Sequence, residues 1–197
     1  MAQKQPRSQE TETALIRAAM RLCLTKDAAK VTVREICSAA GVSIGAFYHH
    51  FESRQDLFAA AYKSFDMELN RHMELRCQGK DPLKALTDLL LFQVSFVAQE
   101  TTSVLVQYYC AILNDPSHAS VSSDRSYYRY TNECVQRLFE AGMLRPEYSP
   151  HRISELCVCF IRGCLIDWVL HDQSYDITER VRSALPILLH GFLRDGG

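Results

Sequence analysis

The chain has 197 residues, of which 47% are hydrophobic and 23% are charged. This length and composition allow a packed core in one large domain or two small ones, and the small numbers of glycine (8) and proline (6) argue against a loop-rich or disordered protein. The 22 basic and 23 acidic residues nearly cancel, which excludes a uniformly basic nucleic-acid coat but leaves room for a local basic patch.

The apolar segments are too short for a membrane protein, because none approaches the roughly 18–20 apolar residues that a membrane span needs. The N-terminus is polar and lacks the apolar core of a secretory signal. We therefore expect a soluble, cytoplasmic protein whose eight cysteines are reduced thiols, most of them small core residues. Cys157 and Cys159 form the tightest pair and leave a thiol switch or a metal site as an alternative, although no spacing typical of a zinc finger occurs.

Helical spacing of apolar residues and helix-capping patterns recur along the whole chain, and no segment shows the convincing alternation of a strand. Thr32 and Glu35 form a capping-box pattern, and Pro82 and Pro150 stand in first turns, where a missing N–H costs nothing. The expected helices span about 9–25, 32–41, 43–50, 53–77, 81–98, 101–113, 120–141, 149–171 and 176–194. The sequence thus predicts an all-α fold of about nine helices without a sheet, in which Pro186 kinks the last helix.

Charge divides the chain into two parts. Residues 1–55 contain eight basic and five acidic side chains, a net of +3, and residues 56–197 contain 14 basic and 18 acidic ones, a net of −4. The predicted helix 53–77 connects them, so the boundary is not a flexible linker. We predict two domains, 1–55 and 56–197, of which the first has the charge that phosphate contact requires.

The segment from Thr32 to Phe51 has the pattern of two short helices joined by a tight turn. Gly41 supplies the positive φ that this turn needs. Four apolar residues are spaced to form a small core between the helices: Ile36, Ala40, Val42 and Phe47. This is the geometry of a helix-turn-helix, whose second helix enters the major groove of DNA.

The same segment resembles the tetracycline-repressor-like (TetR/AcrR) family of bacterial transcriptional regulators. The matching residues are Thr32-Val33, Ala40-Gly41-Val42-Ser43, Gly45 and Phe47-Tyr48-His49-His50-Phe51. The chain departs from the family pattern at Ile44, where lysine or a polar residue is frequent, and at Arg54, where lysine is usual. The resemblance covers about residues 10–60 and implies a ligand-responsive regulator, most often a repressor, that binds palindromic operator DNA as a homodimer.

Two groups of candidate DNA contacts follow from side-chain chemistry. Hydroxyl, imidazole and guanidinium donors suit phosphate oxygens, which position a domain without reading sequence; they are Thr32, Ser43, Tyr48, His50 and Arg54. The front of the predicted third helix offers candidates for base edges, namely Ile44, Gly45, Ala46 and His49. Thr32 and Ser43 also fit a role as helix caps alone, and His50 also fits a packing role against the next helix.

Residues 56–197 contain most of the aromatic side chains, with a few polar groups among them. This combination suits an apolar pocket with polar groups that orient a ligand, although aromatic residues at helical spacing are more often core. The resemblance implies an effector pocket in this part, and the candidate ligand-binding residues are Phe92, Phe96, Tyr108, Tyr109, Arg129, Trp168 and His171. They predict a small, largely apolar or aromatic effector, with Arg129 and His171 suited to an acidic group.

The last two predicted helices, 149–171 and 176–194, have unusually broad apolar faces, so we expect each to be buried on more than one side. The family's dimers use the last two long helices as their interface, which makes this pair the expected subunit interface here. The alternative is that both helices lie at the centre of a monomer core.

No motif of a catalytic, phosphate-binding or metal site occurs. We therefore expect neither an enzyme nor a cofactor or a bound metal. Three other hypotheses remain beside the ligand-responsive regulator: an all-helical adaptor that binds protein instead of DNA, a regulator whose thiols sense an oxidant, and a small-molecule enzyme, for which no local motif selects catalytic residues. The positive charge of residues 1–55 and the intact Tyr48-His49-His50 favour DNA over a protein partner.

Overall fold

The computed structural model describes residues 5–23, 25–76, 79–113 and 119–194. They form ten α-helices: α1 (Gln5–Cys23), α2 (Val33–Ala40), α3 (Ile44–His50), α4 (Arg54–Ala59), α5 (Ala61–Arg76), α6 (Pro82–Val97), α7 (Thr102–Leu113), α8 (Ser126–Glu140), α9 (Pro150–Leu170) and α10 (Ile177–His190). Two short 3₁₀ turns, Ala28–Lys30 and Ala119–Val121, join helices. Within these described ranges no strand forms beyond one isolated bridge between Leu144 and Leu193, and the predicted all-α fold is confirmed.

The tenth helix arises because the helix predicted over 53–77 is divided at Ala60. The Ala60 N–H donates to the Asp56 and Phe58 carbonyls, and its ψ of −5° leaves the α-helical path. The sequence around this break contains only alanines, so no glycine or proline marks it. The predicted end of this helix at Cys77 lies outside the described residues.

Two other predicted helix boundaries are wrong for local reasons. Helix α8 begins at Ser126 and not at 120, because the Ser122 hydroxyl accepts a hydrogen bond from the Asp124 N–H (3.3 Å) and holds the chain in a turn. Helix α10 ends at His190 and not at 194. The residues after it pair with the chain before α9, where the Arg145 N–H donates to the Phe192 carbonyl at 2.9 Å.

Contacts divide the chain into two compact units. The first joins Met1–Phe65 to Glu100–Ser120, and the second joins Asp66–Gln99 to Val121–Gly197. Helix α7 therefore belongs to the unit of the N-terminal helices, although the long helix α6 precedes it in the chain. The domain boundary predicted after residue 55 separates two functional regions of the sequence, whereas these units are defined by packing. The predicted boundary therefore stays a prediction.

The core of the first unit forms around α1, whose buried residues recur three and four positions apart. Its fully or almost fully buried members come from α1 to α4 and from α7: Leu15, Ala18, Ala19, Ile36, Phe47, Leu57, Phe58 and Val104. Full burial of a side chain of the size of Leu57 or Phe58 contributes about 1.5–3 kcal/mol relative to exposure. Helices α2, α3 and α4 thus pack on a core that α7 completes.

The second unit packs α6 against α8, α9 and α10. Its buried residues include Leu86, Leu89, Leu90, Val135, Leu138, Ile153, Ile161 and Leu185. A bidentate ion pair joins α5 to the start of α8: Arg125 Nε lies 3.0 Å from Asp66 Oδ2, and Arg125 Nη2 lies 3.2 Å from Asp66 Oδ1. Both side chains are mostly buried, with 12% and 17% of their surface exposed.

No single helix in the described part of the chain is long and apolar enough to cross a membrane; only the separate helices α6 and α7, taken together, reach that apolar length.

Candidate nucleic-acid interface

The N-terminus of α2 is fixed by a reciprocal cap. The Thr32 hydroxyl accepts a hydrogen bond from the Glu35 N–H (3.3 Å), and the Thr32 N–H donates to Glu35 Oε2 (2.9 Å). Lys26 Nζ lies 2.6 Å from Glu35 Oε1. The hydrogen bond from Lys26, followed by those from Thr32, lowers the pKa of Glu35 to about 2. Thr32 is exposed and is a helix cap, so the capping role considered for it is present, and its predicted phosphate contact stays a prediction.

The turn between α2 and α3 depends on Gly41, whose φ of 70° lies in the left-handed region. The Val42 N–H then donates to the Cys37 carbonyl at 3.0 Å and closes the end of α2. A side chain at Gly41 would meet no atom within 4 Å, so the requirement for glycine comes from backbone conformation alone. Ser43 caps α3 by accepting a hydrogen bond from the Ala46 N–H at 3.1 Å.

Helix α3 is anchored by one face and exposed on the other. Phe47 is fully buried and its ring centroid lies 5.6 Å from that of Phe51. The opposite face exposes Ile44, Gly45, Tyr48 and His49. Ala46 is half-buried. The exposed face has the accessibility that major-groove contact requires.

The two histidines at the end of α3 have different surroundings. His49 is exposed, whereas His50 is half-buried and its ring centroid lies 6.3 Å from that of Phe51. The packing role considered for His50 is therefore present, and its predicted phosphate contact stays a prediction. Tyr48 has 58% of its surface exposed, and its hydroxyl is available to a phosphate oxygen.

Arg54, at the start of α4, is turned into the first unit. Its Nη1 lies 2.6 Å from the Ala28 carbonyl oxygen, 2.8 Å from that of Ala29 and 3.2 Å from that of Val31. No sequence pattern indicates this contact, because the carbonyls are backbone groups more than twenty positions away. These distances do not test the predicted phosphate contact of Arg54, which stays a prediction.

The predicted ligand-binding residues fall into three groups. Phe92 and Phe96 lie together on α6 with ring centroids 6.2 Å apart. Tyr108 and Tyr109, also neighbours with centroids 5.4 Å apart, belong to α7 and hence to the first unit. Trp168 is buried in the second unit, where its Nε1–H donates to the Tyr175 carbonyl at 2.8 Å.

Arg129 and His171 lie on the surface of the second unit. Arg129 Nε is 3.8 Å from Glu133 Oε1, with both side chains about half exposed. His171 caps the end of α9, and its Nδ1 lies 2.8 Å from the Asp167 carbonyl oxygen. Each therefore contacts an acceptor four residues before or after it in the chain, and its predicted role in ligand binding stays a prediction.

Two polar residues of α5, His72 and Asn70, were missed by the sequence analysis, and Gln93 of α6 was noted there only as one of the polar groups among the aromatic residues. The ring of His72 stacks on Phe92, with centroids 4.3 Å apart. Within the described ranges, the side-chain carbonyl oxygens of Asn70 and Gln93 are buried and accept no hydrogen bond. Asn70 and His72 lie beside the buried Leu69 and Met73 of α5, which is the pattern that could have indicated them. A ligand with hydrogen-bond donors would satisfy such acceptors.

Burial determines the reactivity of two of the thiols. It raises the pKa of Cys23 to about 11 and that of Cys157 to about 12, so these thiols stay protonated and unreactive near neutral pH. Cys159 is exposed, and Cys77 lies outside the described residues. Among the residues that the structure describes, no group of three His, Cys, Asp or Glu side chains is placed to hold a metal ion.

A capped helix-turn-helix on a buried core, followed by a larger helical unit, defines a helix-turn-helix DNA-binding protein. Residues 15–61 match the family model described as bacterial regulatory proteins, tetR family. The chain is 27% identical over 196 residues to the HTH-type transcriptional regulator AcrR of Shigella flexneri, covering 94% of this chain and 91% of AcrR. Residues 15–61 thus resemble the DNA-binding module of the TetR family, and almost the whole chain is similar to a transcriptional regulator.

Two solved structures share the fold over almost the whole chain. Native NalD, the secondary repressor of the MexAB-OprM multidrug efflux pump in Pseudomonas aeruginosa, superposes with a TM-score of 0.64 at 24% identity and covers 96% of this chain and 99% of its own. Thermus thermophilus FadR, a TetR-family repressor in complex with lauroyl-CoA, gives a TM-score of 0.68 at 23% identity and covers 94% and 97%. The predicted architecture and the predicted resemblance to the TetR family are confirmed.

Proposed function

We propose that this protein is a ligand-responsive repressor that binds palindromic operator DNA as a homodimer and releases it when a small molecule binds. The observation that carries the DNA-binding part is the exposed face of α3, opposite the buried Phe47. A short helix anchored in this way presents side chains to a groove without moving its own core. DNA binding belongs to residues 1–55 in this proposal, and effector binding and dimerisation belong to 56–197.

The proposed DNA contacts divide by chemistry and position. Thr32, Ser43, Tyr48 and His50 donate to phosphate oxygens and set the register of the domain on the duplex. Ile44, Gly45, Ala46 and His49 face base edges. Ile44 is apolar and exposed, which suits contact with a thymine methyl group.

Dimerisation is supported by an apolar stripe on α9. Its exposed or glycine positions recur with alternating spacings of three and four residues: Leu156, Cys159, Gly163, Ile166 and Leu170. A Cβ at Gly163 would meet no atom within 4 Å in the monomer, so a neighbouring helix can approach closely there. Helix α10 packs on α9, and its Ile187 has 78% of its surface exposed. A two-fold axis through this face would pair the stripes of two copies.

The effector is proposed to bind the second unit beside Phe92 and Phe96. The aromatic rings suit an apolar or aromatic body, in line with lauroyl-CoA in the Thermus thermophilus relative. The buried carbonyl oxygens of Asn70 and Gln93 suit hydrogen-bond donors, because each unsatisfied buried acceptor costs about 1–3 kcal/mol. We therefore propose an apolar effector that carries donor groups.

The test begins by selecting a duplex from a randomised library with the wild-type protein. Tyr48→Ala should weaken binding to that duplex, whereas Tyr148→Ala, which removes an exposed tyrosine from the second unit, should leave it unchanged. The duplex bound to wild type is then challenged with lauroyl-CoA and with small phenols, and release is measured by fluorescence anisotropy. Failure to select any duplex, or equal affinity of the two tyrosine variants, would contradict the proposal.

A further inference from the structure

We infer that Arg54 is a positioning residue for DNA binding: it fixes the Ala28–Lys30 turn and the start of α2 from inside the first unit, in place of binding a phosphate. The inference rests on the proposed DNA binding only for its functional consequence. The contact itself lies within one compact unit.

The guanidinium of Arg54 donates to the carbonyl groups of the short turn and of Val31, which follows it. Nη1 lies within hydrogen-bond distance of the Ala28, Ala29 and Val31 oxygens, at 2.6, 2.8 and 3.2 Å. The Ala28 carbonyl also accepts the Val31 N–H inside the turn, at 3.3 Å, and the charged guanidinium adds the stronger kind of hydrogen bond. The Arg54 Cζ also lies 6.0 Å from the Phe58 ring centroid, which limits the rotamers open to the side chain.

One peptide bond connects the Val31 carbonyl, which Arg54 contacts, to Thr32, a candidate phosphate-binding residue. The Val31 carbonyl is bonded to the nitrogen of Thr32, and that N–H and the Thr32 hydroxyl are held by Glu35 in the cap of α2. Lys26 pairs with the same Glu35 from the other side of the turn, at 2.6 Å. A shift of the turn would therefore displace Thr32 and the first amides of α2 together.

The turn is supported from a second direction by α7. Ala28 is fully buried in the core that it shares with Val104, and its N–H points at the Ser103 hydroxyl oxygen 3.5 Å away. The turn thus lies between α4, which carries Arg54, and α7. A rearrangement of α7 would therefore act on the turn that precedes α2.

Arginine suits this position for a geometric reason. All three contacts are made by Nη1, which stands one bond farther from Cα than the Nζ of a lysine would, so a lysine at this position reaches less far toward the three carbonyls. The departure from the lysine usual in the family therefore has a local explanation, which is the set of three carbonyls at 28, 29 and 31.

The test compares Arg54→Lys, which keeps the charge, with Arg54→Gln, which removes it. Affinity for the duplex selected by wild type is measured at several KCl concentrations. Both variants should bind roughly tenfold more weakly or worse, since a hydrogen bond to a charged group contributes at least that factor, and both should keep the wild-type slope of log K against log salt. Binding like wild type by Arg54→Lys, with a slope reduced by about 0.9 in Arg54→Gln, would show a phosphate contact and overturn the inference.

Hydrogen exchange of the free protein provides a second readout that needs no DNA. The amides of residues 29–32 are hydrogen-bonded within the turn and the cap, and Arg54→Lys should speed their exchange by roughly tenfold. Lys30→Gln removes an exposed charge from the same turn and is the matched control, with exchange expected to stay at the wild-type rate. Unchanged exchange in Arg54→Lys would overturn the inference even where the wild type selects no duplex. A melting curve of each variant shows that it is folded.

Discussion

His49 and His50 are neighbours in the chain, and their different burial predicts different effects on DNA binding. Of these two histidines, His49 is exposed on the outer face of α3 and His50 is half-buried. His49→Ala should change the preferred base at one position of each half-site, by about 1–3 kcal/mol for a bidentate contact and less otherwise. His50→Ala should instead weaken binding to all duplexes alike, because it removes a positioning contact and packing beside Phe51.

The measurement is a panel of duplexes that differ from the selected one at single positions. A uniform loss across the panel for His49→Ala would contradict a base contact by that residue. Each variant is the control for the other, because both remove an imidazole from the same helix.

At the scale of elements, the cap of α2 predicts a dependence of stability on pH. Hydrogen bonds from Lys26 and Thr32 lower the pKa of Glu35 to about 2, below the value of about 4.3 in an unfolded chain. Its stabilising effect is therefore complete above pH ~4.3 and is lost as pH falls through ~2.

Glu35→Gln should accordingly melt at a lower temperature than wild type at neutral pH, and the difference should shrink below pH ~4. Glu133→Gln is the control, because its pair with Arg129 is about half exposed and 3.8 Å long. The check is a series of thermal melts across pH. A difference for Glu35→Gln that stays constant down to pH ~2 would show that the carboxylate does not act through its charge.

The ion pair between α5 and α8 predicts a larger effect on stability. Arg125→Met would leave Asp66 mostly buried and without its bidentate partner, and breaking a buried pair costs about 3–5 kcal/mol. We expect about 3 kcal/mol in a denaturant titration, since both groups keep some solvent contact. Arg129→Met, from an exposed pair on α8, should cost less than ~1 kcal/mol. Equal costs for the two variants would contradict this account.

The sequence predicted the elements wherever a local pattern determines them. Thr32 with Glu35 and Gly41 define α2 from side-chain chemistry and backbone conformation alone. The break at Ala60 was missed because three alanines carry no boundary pattern. The contacts of Arg54 and the stacking of His72 on Phe92 were missed because they depend on tertiary packing between residues distant in the chain.

At the scale of the whole molecule, the stripe on α9 predicts the oligomeric state. Ile166→Glu places a charge at an exposed position of the stripe, so it should leave the monomer fold intact, convert a dimer to a monomer and abolish tight binding to a palindrome. The buried Ile161 is unsuitable for this test, because a charge there would disrupt the core.

Leu75→Glu provides the control, since Leu75 is 77% exposed on α5 and lies outside the stripe. Sedimentation velocity at micromolar concentration measures both variants. A wild-type monomer that still binds a palindromic duplex tightly would contradict the proposed interface, as would a dimer in Ile166→Glu.

The membership of α7 in the first unit has a consequence for how the protein is made. During synthesis the N-terminal helices leave the ribosome long before residues 100–120, so their core lacks Val104 and Ala111 until α7 emerges. The chain has by then passed through α6, which belongs to the other unit. We expect the nascent helix-turn-helix to remain incompletely packed during that interval, and the ability to bind DNA to be acquired only after more than half of the polypeptide has been translated.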